Sequence, residues 1–181
     1  VAARVRPLAE AMQGARHPDR IVEALPQTGG AEALAAAIGQ LDSPLEQVRA
    51  AAFRALTRWP GTEATDRLFA LFVSGDETYR NQAFSAYVRQ ISSSALPADQ
   101  KLLQLRKILE RASTVGDRRI VVRALQGIRT FKSLLVLTVF LDDSDVAGEA
   151  AAALMRIALP TSPDADDGLR GGLVRDALTR A

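Results

Sequence analysis

Apolar residues recur at three- and four-residue spacing over 33–41, 64–73, 101–112 and 132–141, the spacing that lines one face of an α-helix. Each stretch is followed by a second helical pattern with a sharper signature: a bulky residue, small residues four and seven positions on, and a bulky residue at eight. Val48, Ala52, Ala55 and Leu56 fit it, as do Tyr79, Ala83, Ala86 and Tyr87. Ile120, Ala124, Gly127 and Ile128 give a third fit, and Val146, Ala150, Ala153 and Leu154 a fourth. Small side chains at those places let a neighbouring helix approach closely while Leu, Ile and Phe fill the layer.

Short polar turns separate the two helices of each pair: "DSP" at 42–44, "SGDE" at 74–77, "VGD" at 115–117 and "DDSD" at 142–145. Their Asp and Ser side chains are expected to accept hydrogen bonds from first-turn amides, and Pro44 to take the first helical position, where no amide hydrogen is needed. Looser joins, "WPGT" at 59–62, "SSSALP" at 92–97 and the Thr130 region, separate one pair from the next. The only β-branched cluster of note, "IVV" at 120–122, falls inside the third fit and reads as helix. The expectation is therefore an all-α chain with repeats at 31–60, 61–95, 96–130 and 131–158. A helix pair cannot bury its apolar faces alone, but stacked pairs can, and that is the logic of a solenoid. Residues 1–30 are expected to form short helices at 7–15 and 18–25, cut by Pro18 and Pro26. Residues 159–181 are expected to form a linker and a closing helix over 166–180; both ends read as caps or as remnants of a longer array.

The second helices resemble those of HEAT-type α-helical repeats, whose pattern places an Asp in the turn, then Val-Arg, two spaced alanines and Leu. Asp42, Val48, Arg49, Ala52, Ala55 and Leu56 carry the likeness best, and Asp76, Tyr79, Arg80, Ala83 and Ala86 next. The resemblance covers about residues 31–158 and implies a right-handed α-α superhelix of about four HEAT-like pairs. In that family the turn Asp and the Arg early in the second helix often form a ladder between repeats. Val121 and Ala147 stand where two of those arginines belong, so any ladder is incomplete. More loosely, "LTRWP", "YRNQAFSAYVRQI" and "FLDDSDVAGEAA" are similar to HEAT-like regions of large secreted or periplasmic bacterial proteins that sit beside carbohydrate-acting or redox domains. That likeness points to a periplasmic or secreted setting over a cytoplasmic one.

The chemistry available is narrow. With no cysteine and one histidine, His17, transition-metal ligands are nearly lacking, and a His before Pro18 reads as a surface loop residue. "DADDG" at 164–168 has the look of a calcium loop, but Gly168 comes one place too early and Arg175 stands where a bidentate Glu is needed. It reads better as an acidic N-terminal cap for the last helix. No nucleophile elbow, phosphate loop or dinucleotide fingerprint occurs, and the adjacent Asp142 and Asp143 lie in a turn, where nothing holds them at a catalytic separation. The expectation is no catalytic residues, no metal and no cofactor. The apolar run 134–141 is far shorter than the ~20 residues of a bilayer span, so no membrane insertion is expected. A chain starting at Val1 with no visible targeting segment reads as a processed or excised piece of a longer protein.

Charge adds one feature. The net charge is +2, but residues 99–132 hold nine basic against three acidic side chains, and residues 142–167 hold seven acidic against Arg156. The basic stretch reads as a solvated helical face, a docking surface for an acidic protein or anionic polymer, or a nucleic-acid surface. The last is disfavoured by low net charge and scarce aromatic platforms. Trp59, Tyr79 and Tyr87 read as packing residues. The resulting expectation is a non-catalytic module for protein–protein interaction or scaffolding, serving a protein partner or flanking domains of the same chain. The residues expected to bind are Arg49, Arg80, Asn81, Arg119 and Arg123, early in the second helices on the concave layer. A structural spacer in a secreted carbohydrate-acting or redox protein is the alternative, and a HEAT-like nucleic-acid binder the next.

Overall fold

The computed structural model describes residues 15–74, 77–162 and 164–181. Among them the chain is all-helical, with no strand. Ten α-helices run in order among the described residues: α1 (Pro18–Thr28), α2 (Gly30–Gly39), α3 (Glu46–Thr57), α4 (Thr65–Ser74), α5 (Glu77–Ser93), α6 (Ala98–Leu109), α7 (Val115–Leu125), α8 (Phe131–Val139), α9 (Ala147–Ala158) and α10 (Gly172–Arg180). Single 3₁₀ turns, Gln40–Asp42 and Phe140–Asp142, tighten the ends of α2 and α8. The chain divides into two compact units, Val1–Ser94 and Ala95–Ala181.

In the first unit α3 packs against α1, α2 and α5, and α4 packs against α5. The spaced alanines are at the contacts: Ala52, Ala55, Ala83 and Ala86 are all buried, beside Leu56, Phe84 and Tyr87. Three aromatic pairs fill the layer, Phe53 with Tyr79 at 4.5 Å between centroids, Phe69 with Tyr87 at 5.9 Å and Phe72 with Phe84 at 4.9 Å. Such tilted and edge contacts suit the ring quadrupole. Burial, then the nearby Asp66 charge, pushes the Tyr87 phenol up to about 12. The last carbonyls of α3, which no helical amide reaches, are taken by α5. Arg89 Nη2 donates to Thr57 O at 2.6 Å, and Gln90 Nε2 to Leu56 O at 2.9 Å. Trp59 lies buried just past the end of α3.

In the second unit α6 packs against α7 and α8, α7 against α9, α8 against α9, and α10 against α8 and α9. Val146, Ala150, Ala153 and Leu154 are all fully buried. The third fit holds only in part. Ile128 is buried at its last place, but Ile120 and Ala124 are half-buried and Gly127 is exposed beyond the end of α7, while Val121 and Leu125, three residues before Ala124 and Ile128, are fully buried. The physical reason is Asp117, an acid at a place otherwise apolar. It is 4% exposed because it closes a capping box: its amide donates to Thr114 Oγ1 at 3.0 Å, and its carboxylate accepts from the amide of Thr114. "VGD" is thus the first turn of α7, and its cap is Thr114.

Other local expectations also change. Pro26 does not cut α1, which runs on to Thr28 and closes with the Gly29 amide on Leu25 O at 3.1 Å. Gly29, at φ +66, takes a positive-φ extended backbone that glycine adopts without strain, and the helix ends there. Pro44 lies outside α3, whose N-cap is Leu45 with no side-chain cap. Asp164, Asp166 and Asp167 do not cap the last helix, which starts at Gly172 behind Gly171. Asp167 instead accepts from the amide of Thr161 at 2.9 Å and from its hydroxyl at 2.8 Å. Those bonds, the amide first, with Arg129 nearby, hold its carboxyl below the usual carboxylate range. All but the last residue of the helix expected over 7–15, and the turn residues 75–76, Asp76 included, lie outside the described residues.

Candidate interaction surface

The arginines singled out in the sequence are mostly occupied within the chain. Arg49 folds back on the turn before its own helix, donating to Ser43 O at 2.8 Å and Pro44 O at 3.1 Å. Arg80 lies over the Phe72 ring, 4.7 Å from its centroid, within reach of the exposed Asn81 at 3.4 Å. Arg119 pairs with Glu149 at 2.9 Å and donates to Asp145 O at 3.0 Å. Arg123 is exposed on α7. The structure brings Arg80 and Asn81 together in the first unit and leaves Arg119 and Arg123 one turn apart in the second. Arg49 stays with its own turn.

The opposite charges of 99–132 and 142–167 meet each other inside the second unit. Arg118 Nε lies 2.7 Å from Asp143 Oδ2, an ion pair by distance although its N–H is not aligned on the acceptor. Arg129 reaches Leu159 O at 2.9 Å and Asp167, and Arg180 of α10 holds Asp142 at 2.9 Å. Arg118 also reaches Asp145, so both of its partners belong to the turn before α9. The acidic stretch is thus largely paired within the unit, while Arg106, Arg111 and Arg123 of the basic stretch stay exposed.

An apolar surface also remains open to solvent. Helices α6 and α8 flank a groove of about 760 Å³. α6 starts behind Pro97, which cannot continue a helix backwards, and buries Leu102, Leu105 and Ile108 at helical spacing. Leu103, outside that stripe, is 64% exposed. α8 is capped by Thr130, whose Oγ1 accepts from Ser133 N at 3.1 Å, and it buries Leu134 and Leu137. Its sequence is apolar nearly all round, so Leu135 and Val139 remain 40% and 70% exposed. The Asp99–Lys132 ion pair, 2.9 Å, bridges the first turns of the two helices and closes that end of the groove. Arg106 and Glu110 stand on the α6 wall.

Sequence reasoning passed over this groove, although the signal was there. The run 134–141 carries more apolar residues than one buried helix face can use, a surplus that neither its helical spacing nor a membrane span accounts for. Among the described residues no helix is long and apolar enough to cross a membrane, and no group of three or more His, Cys, Asp or Glu could hold a metal ion. Set against protein-family models, curated proteins and solved structures, the chain gives no match in any of the three.

Proposed function

We propose that the chain is a non-catalytic helical-repeat module of HEAT type, its pairs layered as a right-handed superhelix, that docks another protein. The observation carrying this reading is the α6–α8 groove. Leu103, Leu135 and Val139 form an exposed apolar surface between two rigid helices. Apolar side chains left open to solvent along a groove between helices support an interaction reading. A groove between helices suits an apolar helix face presenting anchors at three- and four-residue spacing. The internal pairing of Arg118, Arg119, Arg129 and Lys132 weighs against the nucleic-acid alternative, which needs basic residues turned to solvent.

Selection of displayed helical peptides on the immobilised protein tests the reading. The expected result is enrichment of peptides with leucine-like residues at three- and four-residue spacing. Their binding should fall at least about tenfold, or ~1.4 kcal/mol, on Val139→Asp and hold on Arg49→Glu. No enrichment, or loss on Arg49→Glu alone, would overturn it.

A further inference from the structure

We propose that the α6–α8 groove receives a second copy of the same chain, docked about a two-fold axis with the two α6 helices antiparallel. This rests on the reading of the groove as a docking surface and names its occupant.

Four charged side chains line the groove: Asp99, Arg106, Glu110 and Lys132. Asp99 and Lys132 satisfy each other. Arg106 and Glu110 are both exposed, one helical turn apart, and neither has an ion-pair partner among the described residues. Their order, base before acid at i and i+4, is the less favourable one for pairing within a helix. The wall therefore presents a base and an acid, both unmatched, beside exposed Leu103 and with Val139 on the opposite wall.

A strongly acidic or basic partner would satisfy one of the two charges and oppose the other. The fitting partner carries the same two charges in reverse order, and this chain supplies them by symmetry. In an isologous contact, if residue i faces residue j of the mate, j faces i. Arg106 against Glu110 of the second copy therefore sets Glu110 against Arg106 of that copy, giving two ion pairs from one placement. Leu103 and Val139 of each copy come under cover beside them.

Sedimentation equilibrium of the intact chain over a wide concentration range tests this. Wild type should show a reversible monomer–dimer equilibrium. Arg106→Glu, which puts two acids on each wall, and Val139→Asp should each weaken it at least about tenfold. The exchange Arg106→Glu with Glu110→Arg restores the pattern in mirror order and should return the dimer to within about threefold of wild type. All these positions are exposed, so circular dichroism should show unchanged helix content. A monomer at every concentration overturns the proposal, as does a dimer indifferent to Val139→Asp or one that the exchange fails to restore. A monomer that still selects apolar-faced peptides sinks the second copy alone and leaves the interaction reading standing.

Discussion

The two units close their helix layers by different means. In the first, aromatic rings fill the space between helices and side-chain amides and guanidiniums satisfy backbone carbonyls, beside the Arg54–Glu23 ion pair: Phe72 against Phe84, Tyr87 against Phe69, Gln90 and Arg89 on the end of α3. In the second, the core is aliphatic and alanine-rich, and the seams are drawn by ion pairs: Arg118–Asp143, Arg119–Glu149, Lys132–Asp99 and Arg180–Asp142. In both units the polar contacts join residues roughly one helix pair apart, as in Arg89 to Thr57 and Lys132 to Asp99. One spacing can thus be held by dispersion and hydrogen bonds or by charge, and the choice decides what perturbs each unit. Rings are indifferent to salt and costly to remove, whereas exposed ion pairs are salt-sensitive and individually weak.

The largest effect should come from Phe84→Ala. It empties a fully buried site and strips Phe72 of its edge contact, a change that costs about 3–5 kcal/mol. Hydrogen exchange should show amides of 46–93 losing protection while those of 98–158 keep theirs. Leu134→Ala should do the reverse in the second unit. Equal loss across both stretches in either variant would show one cooperative body and dissolve the contrast between the units.

Alkaline pH should also strike the first unit. The Tyr87 phenol is held protonated to about 12 against an ordinary value of 10.0, first by burial and then by Asp66. Its stabilising contribution is complete below pH 10, because both states are then neutral. It drains between pH 10 and 12, where the unfolded chain ionises and the folded one does not. Two pKa units correspond to about 2.7 kcal/mol at most. Tyr87→Phe should abolish that part of the decline in denaturant-measured stability from pH 10 to 12. An identical decline in wild type and variant would place the phenol in contact with water.

The helices themselves were legible because periodicity reports burial. The runs 64–73 and 101–112 overlap α4 and α6 closely, and Ala52, Ala83 and Ala150 are buried as their spacing demands. Legibility stopped where a polar residue took an apolar place. Asp117 is buried by a capping box, a local satisfaction that hydrophobic spacing cannot register, so the fit fell in part on half-buried Ile120 and exposed Gly127. The C-terminal segment misled for a related reason. Asp167 is spent on Thr161 and Arg129, and α10 waits for Gly171, whose φ of +127 favours glycine. The candidate surface was least legible, because exposure is a property of what fails to pack. Leu103 and Val139 look like core residues in a string of letters, and only their neighbours' positions reveal them as uncovered.

The smallest effect should separate the units most cleanly. Arg118 and Asp143 are each about three-quarters buried at the side chain, 25% and 26% exposed, and they join α7 to the turn before α9. A double-mutant cycle on Arg118→Ala and Asp143→Ala should give a coupling of only about 0.5–1 kcal/mol at low salt. At 1 M salt, where screening acts within about 3 Å, the exposed share of that coupling should fade. The cost of Phe84→Ala should stay as it was, since no charge is involved. Were the cycle to return no coupling at low salt, the seams of the second unit would rest on its aliphatic contacts alone. Its ion pairs would then set register at most, and the two units would differ in side-chain shape but not in kind of force.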